Sequence, residues 1–353
     1  MAIDPDFWTR RRVLITGHTG FKGAWLSLWL QSLGAELTGL APGPPTRPSL
    51  YEIAGVGAGM RELPLDVRDA EGVRAAVRES EPEIVLHLAA QPMVRRSLRD
   101  PAMTYEVNVM GTVNVLEAVR HAGPDVRAVL VVTSDKCYEN VGLADKRFVE
   151  GDPLGGDDPY SSSKACAELV AAAYRTSFFA GEGSPALASA RAGNVIGGGD
   201  WGEDRLLPDV LRAVEAGEPV RVRNPQAVRP WQHVLNPLYG YLRLAEELWR
   251  GKAARAWNFG PPEDGARTVS WILERLGALW DGALSWEIDP GPNPPEAGHL
   301  ALDSGDAERH LGWRPALSLE QALGLIVAWH RAQQRGEDMR RVSLEQIASF
   351  GQA

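Results

Sequence analysis

A chain of 353 residues that is 44% hydrophobic and 24% charged has ordinary globular composition and enough length for a large core divided between two lobes. Its net charge of −9 and pI of about 5.4 argue against a nucleic acid or an anionic membrane as main partner, and leave room for one basic pocket around a phosphate. No apolar run approaches the roughly 18 residues that span a bilayer, and the opening residues Asp4, Asp6, Arg10, Arg11 and Arg12 surround no apolar signal core. The two cysteines, Cys137 and Cys166, have no metal-site spacing. No metal is expected, and reduced thiols in a cytoplasmic protein are.

Arg12 to Thr16 reads as a short strand, Gly17-His18-Thr19-Gly20-Phe21-Lys22-Gly23 as a glycine turn, and Ala24 to Leu33 as a helix. Strand, glycine turn and helix together make a pyrophosphate cradle, because glycines admit close backbone approach and the helix start offers free N–H groups. Lys22 either points to solvent or reaches a ligand phosphate. Glu36 to Leu40 reads as the second strand. No acidic residue follows it to hold a ribose, and Arg47 in the next loop leaves NAD and NADP undecided. Glu62 to Asp69 reads as a strand running into a helix cap at Asp69. Asp66 either accepts from an adenine amino group or is a second cap. Ile84 to Ala90 is a continuous apolar run, suited to a parallel sheet covered on both faces. Its small Ala89 and Ala90 let a flat ring lie against the backbone, and His87 within it reads as a core residue.

A helix from about 100 to 122, a strand from 126 to 133 and a helix from about 159 to 179 continue the alternation. The pattern predicts a doubly wound α/β domain with ligands outside the carboxyl ends of its strands. Thr133-Ser134-Asp135-Lys136-Cys137-Tyr138 ends one strand in polar residues. Tyr160 and Lys164 stand four apart, one helical turn, so both face one pocket. A nearby ammonium favours a phenolate, which makes Tyr160 a candidate acid/base for an alcohol. Ser134, Asp135 and Lys136 crowd the same reacting atoms. Cys137, Trp25 and Trp29 read as packing residues.

Beyond 191 the texture changes. Residues 193–201 read as a loop, 206–216 as a helix, 220–222 as a strand, 228–234 as a loop, 237–249 as a helix, and 257–260 as a strand returning to the main sheet. Helix, strand, a Pro-rich loop at 290–295 and helix fill 261–330. The expected division is a dinucleotide-binding domain of 1–190 plus about 230–260, and a smaller lobe of 191–229 plus 261–353.

The glycine motif, Ser134 and the Tyr160/Lys164 pair resemble the extended short-chain dehydrogenase/reductase superfamily, the NAD-dependent epimerases and dehydratases. Within it, His18 to Gly23, Thr133 to Tyr138, Asn194 to Trp201 and Arg229 to Val234 are similar to the CDP-glucose 4,6-dehydratases. Ser-Asp-Lys stands where related dTDP-glucose enzymes carry Thr-Asp-Glu. Pro295-Glu296-Ala297 departs from an expected His-Glu-Ala.

The resemblance implies NAD as cofactor, held by Gly17, Thr19, Gly20, Phe21, Lys22, Gly23, Asp66, Val67, Leu88, Ala89, Ala90, Tyr160 and Lys164. It implies a lyase that oxidises C4 of a nucleotide-linked glucose, eliminates water across C5 and C6, and returns the hydride to C6. In this scheme Tyr160 takes the hydroxyl proton, Lys164 lowers the Tyr160 pKa, Ser134 bonds the C4 oxygen, and Asp135 donates to the departing hydroxyl. Lys136 is either the C5 base or an electrostatic stabiliser. Gln91, Arg95, Asn108, Asn194, Arg205, Arg229 and His233 are the implied substrate contacts. For Arg205 and Arg229 a diphosphate fork and a structural salt bridge both stand. A homodimer or homotetramer on the helices near 100–122 and 159–179, and a role in deoxysugar supply for lipopolysaccharide O-antigen, are further implications. Alternatives are a dTDP- or GDP-sugar 4,6-dehydratase, or a nucleotide-sugar 4-epimerase.

Overall fold

The computed structural model describes residues 3–140, 142, 146–261, 265–280, 284–289, 291 and 300–350. Seven strands form one parallel sheet, in spatial order Ala256–Phe259, Ala186–Ala192, Ala128–Val132, Ile84–His87, Arg12–Thr16, Glu36–Leu40 and Arg61–Leu63. Helices cover both faces, so the inner strands can be apolar throughout: Ile84–His87 and Ala128–Val132 are buried at every position. Trp25, Leu28, Tyr241 and Trp257 belong to the core on one face. Val73, Val115, Leu116 and Leu187 belong to the core on the other. The strand order reverses between Arg12–Thr16 and Ile84–His87. Such a switch point is where ligands settle in this architecture, and Gly17 to Gly23 and Leu88 to Ala90 both emerge there. The doubly wound α/β fold expected from the alternation is the fold observed.

A third core of Leu207, Val210, Val222, Trp231, Ile272 and Leu323 holds a smaller unit. Here the expected loop 228–234 contains two short strands. Val228–Pro230 pairs antiparallel with Ala266–Thr268, and Gln232–His233 pairs parallel with Val195–Ile196. The Pro-rich stretch (Gly291 apart) and Pro295-Glu296-Ala297 lie outside the described residues.

Three elements differ from expectation for local reasons. The segment 100–122 is a helix interrupted by a π turn, with helical backbone at both junctions. It divides into Pro101–Tyr105, a wide π turn at Glu106–Met110, and Gly111–Arg120. Asp100 caps the first piece by accepting from the Met103 N–H at 3.2 Å. The π turn carries Asn108, in keeping with the frequent placement of such turns at functional sites. The helix expected from Pro237 starts at Leu235, where His233 Nδ1 accepts the Leu235 N–H at 3.3 Å. A final helix, Met339–Phe350, had no counterpart in the sequence reading.

That final helix packs on Phe21–Ser32. Phe350 meets the Trp29 ring at 5.4 Å, and Arg340 Nη2 donates to Gln31 Oε1 at 2.7 Å. Ala307, Trp313, Trp329, Met339 and Phe350 all join the core of the parallel sheet, although the sequence reading groups 261–353 with the smaller lobe. Helical periodicity identifies an apolar face without saying which sheet it will cover. Phe350→Ala should therefore destabilise the sheet domain by about 3–5 kcal/mol, read from urea unfolding. A loss below about 1 kcal/mol would show that the last helix is peripheral.

Candidate active site

The glycine turn is shaped by contact. Gly17 lies at φ +76°, and a Cβ there would stand 2.7 Å from the Ala89 nitrogen. A Cβ on Gly23 would stand 2.1 Å from the Gly17 oxygen. The loop thus runs against the exit of the neighbouring strand, where Ala89 N–H donates to Thr16 Oγ1 at 3.1 Å. Gly20 caps the helix Phe21–Ser32 with no side-chain hydrogen bond, which leaves first-turn N–H groups for an anion. Thr19 Oγ1 donates to the Gly43 carbonyl at 2.7 Å and fixes the loop. This bare, anion-seeking cradle fits the pyrophosphate of a dinucleotide.

The walls beside it are mixed. Leu88, Ala89 and Ala90 are half-buried at the strand exit. Val67 is buried, and its Cγ2 would be 2.7 Å from a Cβ on Gly111. Asp66 is bound to Arg68 at 2.9 Å, and that hydrogen bond holds its carboxyl below the usual range. Asp69 supplies the helix cap as expected, accepting from Gly72 N–H at 3.0 Å. His87 is the core residue expected. Its Nδ1 meets Thr16 Oγ1 at 2.7 Å, its Nε2 meets Thr112 Oγ1 at 3.0 Å, and burial pushes its pKa down to about 3.

The candidate reacting groups gather at the end of Ala128–Val132. Ser134 caps the short turn Asp135–Cys137, accepting from the Lys136 N–H at 3.2 Å and donating to Asp135 Oδ1 at 2.9 Å. Asp135 is 2% exposed, and its Oδ2 has no hydrogen-bond partner among the described residues. A Cβ on Gly193 would stand 2.6 Å from that oxygen, so the glycine makes room for it. Burial raises the Asp135 pKa, and the Lys136 ammonium, the Ser134 bond and the Lys22 ammonium work against the rise.

Tyr160 lies in the first turn of Pro159–Ser177, beneath Ser134. The expectation that Lys164 lowers its pKa is corrected here. Burial pushes Tyr160 up to about 12; the Ser134 hydrogen bond and the Arg205 charge pull down, while Asp135 and Asp158 push up. Lys164 instead donates to the Val132 carbonyl at 3.3 Å, and burial brings it down to about 8. Taking a phenol out of water costs its ionised form more than these cations return.

Lys22 does not point to solvent, the first of the two readings the sequence left open. Its Nζ meets Tyr241 Oη at 3.4 Å and feels Lys164, Asp135 and Arg205, so it points into the reacting cluster. The residue as a whole is only half-buried, yet desolvation around its ammonium brings the pKa down to about 7. Tyr241, fully buried on the helix Leu235–Trp249, had no local signal in the sequence.

The implied substrate contacts divide. Arg205 pairs with Asp200 at 2.9 Å and projects charge onto Tyr160. Arg95 pairs with Asp204 at 3.2 Å. Arg229 Nη1 donates to the Val228 carbonyl at 3.0 Å, and the Asn194 carbonyl accepts from Gln232 N–H at 3.1 Å. Gln91 and Asn108 are occupied with the protein. Asn108 Nδ2 donates to the Gln91 carbonyl and to Ser163 Oγ, and Gln91 Nε2 donates to the Met93 carbonyl and Thr104 Oγ1. His233 is 0% exposed, against the Trp25 ring at 6.2 Å, and burial takes its pKa to about 3.

Two measurements follow from this geometry. Gly17→Ala should weaken NAD binding in calorimetry and cost roughly 1–3 kcal/mol of stability, because the residue must keep a positive φ against Ala89; unchanged affinity would contradict the cradle. Lys22 titrates at about 7 folded against 10.5 for the free side chain, so the unfolded chain holds more protons between those values. Stability gained by Lys22→Met in the cofactor-free protein should be largest at and below pH 7 and vanish towards 10.5. A difference that does not change with pH would contradict the buried ammonium.

Comparison with known proteins places this geometry. A CDP-glucose 4,6-dehydratase from Salmonella typhimurium is 49% identical over 358 residues, covering 99% of this chain and 98% of that protein. A dTDP-glucose 4,6-dehydratase from Streptomyces griseus is 31% identical over 75% of this chain and 76% of its own. The crystal structure of the dTDP-glucose 4,6-dehydratase from Streptomyces venezuelae with NAD and TYD bound superposes with a TM-score of 0.75 at 26% identity, over 93% of this chain and 99% of that one. The Thermus thermophilus UDP-glucose 4-epimerase complex with NAD gives 0.78 at 28% identity, over 91% and 99%. Residues 13–260 match the family model of the NAD dependent epimerase/dehydratase family. With the cradle, the Tyr160/Lys164 helix and the match over most of its length, the chain belongs to the NAD dependent epimerase/dehydratase family.

Proposed function

We propose that this chain is a CDP-glucose 4,6-dehydratase, a hydro-lyase that converts CDP-D-glucose to CDP-4-keto-6-deoxy-D-glucose and water. The observation that carries the reading is the buried carboxyl of Asp135, shifted towards its neutral form beside Tyr160. A neutral acid is what departure of a C6 hydroxyl requires. When bound, NAD would supply the hydride acceptor, the returning hydride and a positive charge. The cradle Gly17 to Gly23 and the exit Leu88 to Ala90 would hold it, and this reading assigns its ribose to Lys164.

The chain's own groups divide the proton work. Ser134 turns its hydroxyl proton from Asp135 Oδ1 to the C4 oxygen and orients that oxygen towards Tyr160. Tyr160, a phenol with a pKa of about 12 in this structure, must ionise before it can accept the C4 hydroxyl proton, and positive charge gathering beside it favours that ionisation. Oxidation at C4 acidifies the C5 proton. Lys136, next to Asp135 in the same turn, either removes that proton or steadies the enolate. Asp135 then gives its proton to the C6 hydroxyl. This reading assigns the diphosphate to Arg205 and Arg229, with Arg205 held by Asp200 and Arg95 by Asp204.

The 4-epimerase alternative draws on the same fold, since one superposed structure is a UDP-glucose 4-epimerase. It has no use for an acid and an amine at 135 and 136. A second copy of this chain is the partner that suits exposed Leu98, Tyr105, Met110, Leu169 and Phe178 on the helices near the site. The assembly, a cytoplasmic location, the two-lobe division and the deoxysugar role in O-antigen supply belong to this reading. No helix of the described residues is long and apolar enough to cross a membrane.

CDP-glucose carrying deuterium at C4 should yield a 4-keto-6-deoxy sugar with the label at C6, read by mass spectrometry and NMR. A galacto product, or no label at C6, would remove the dehydratase reading. Lys136→Met should abolish exchange of the C5 proton with solvent while C4 oxidation persists. Surviving exchange would leave Lys136 only an electrostatic part.

A further inference from the structure

Glu168 stands one helical turn beyond Lys164, and its side chain is 2% exposed. It forms an ion pair at 2.7 Å with Arg191, whose side chain is 4% exposed. Thr133 Oγ1 and Ser189 Oγ also donate to the Glu168 carboxylate. Arg191 Nη1 donates to Tyr138 Oη at 2.7 Å and to the Glu150 carbonyl at 3.1 Å. The Tyr138 hydroxyl in turn donates to Asn258 Oδ1 at 2.7 Å, on the outermost strand. Tyr138 is 1% exposed and lies under the Arg191 guanidinium and against Phe148.

The proposed reaction gives none of these groups a chemical role, yet together they frame the reacting turn. Ser134 to Cys137 lie between Thr133 and Tyr138. Both flanks are therefore tied by side-chain hydroxyls to one ion pair, and the carboxylate of that pair rides on the helix that carries Tyr160 and Lys164. A buried ion pair is a costly way to stabilise a core, because apolar residues of equal volume serve as well or better. It does fix an arrangement, and Ser134 and Asp135 must meet Tyr160 to within a fraction of an ångström.

We propose that the Glu168–Arg191 pair is a positioning device for the elimination half of the reaction, acting through Thr133 and Tyr138 to hold Asp135 and Lys136 in register with Tyr160. The inference rests on the dehydratase reading above. Thr133→Val and Tyr138→Phe each remove one tie while keeping nearly the same shape. Each should lower kcat roughly ten- to a hundredfold with KM little changed. Reduced cofactor should build up during turnover, because loss of water lags behind C4 oxidation. Thr133→Ser, which restores the hydroxyl, should recover most of the rate. Should Tyr138→Phe fail to fold, Thr133→Val against Thr133→Ser decides.

Unchanged kcat in folded variants, or parallel loss of both half-reactions with no reduced cofactor accumulating, would overturn the positioning role. A wild-type enzyme that forms no 4-keto-6-deoxy sugar would overturn the dehydratase reading and this inference together. Failure in the variants alone overturns only this one.

Discussion

A carboxyl group kept out of water at the end of a parallel strand is the constraint from which the rest of the site follows. An isolated buried carboxylate costs several kcal/mol, so it takes up a proton or gathers cations. Asp135 does some of each. Burial raises its pKa, while Lys136, Lys22 and the Ser134 hydroxyl oppose the rise. Its Oδ2, without a hydrogen-bond partner among the described residues, faces the gap that Gly193 leaves open. The same desolvation sets the neighbours: Tyr160 is kept a phenol, and Lys22 and Lys164 lose much of their preference for charge. One dry pocket thus assembles an acid, a reluctant base and two softened amines within reach of each other.

The sheet makes this arrangement affordable by separating tasks. Strands buried on both faces deliver the polar turn at their carboxyl ends, while wholly apolar cores on either side carry the stability. The glycine cradle and the reacting turn then open on the same edge of the sheet. Beneath them a buried polar network runs through Glu168, Arg191, Tyr138 and Asn258. Such a network is stiff because each member has a partner to lose.

Much of this was legible in the sequence for physical reasons. Glycines at 17, 20 and 23, between an apolar strand and an apolar helix, have few other uses. Tyr160 and Lys164 share a helical face whatever surrounds them. The continuous apolar run at 84–90 announces a strand with two covered sides. What stayed hidden depends on contacts between distant segments. The direction of Lys22 is decided by Tyr241, more than two hundred positions away. The destination of the helix Met339–Phe350 is decided by Trp29 and Gln31. The charge state of Tyr160 is set by desolvation, which the spacing of a nearby cation does not show. Glu168 was within reach, since it repeats the four-residue interval after Lys164; its partner on Ala186–Ala192 was not.

The most direct test is the ionisation of Asp135 itself. Infrared difference spectra of the cofactor-free protein against Asp135→Asn, followed across pH, isolate the carboxyl band of that one residue. The account expects the carbonyl band of the protonated acid to persist above the pH at which an exposed aspartate has fully ionised. A carboxylate band that appears at or below the ordinary aspartate pKa of about 3.9 would contradict it.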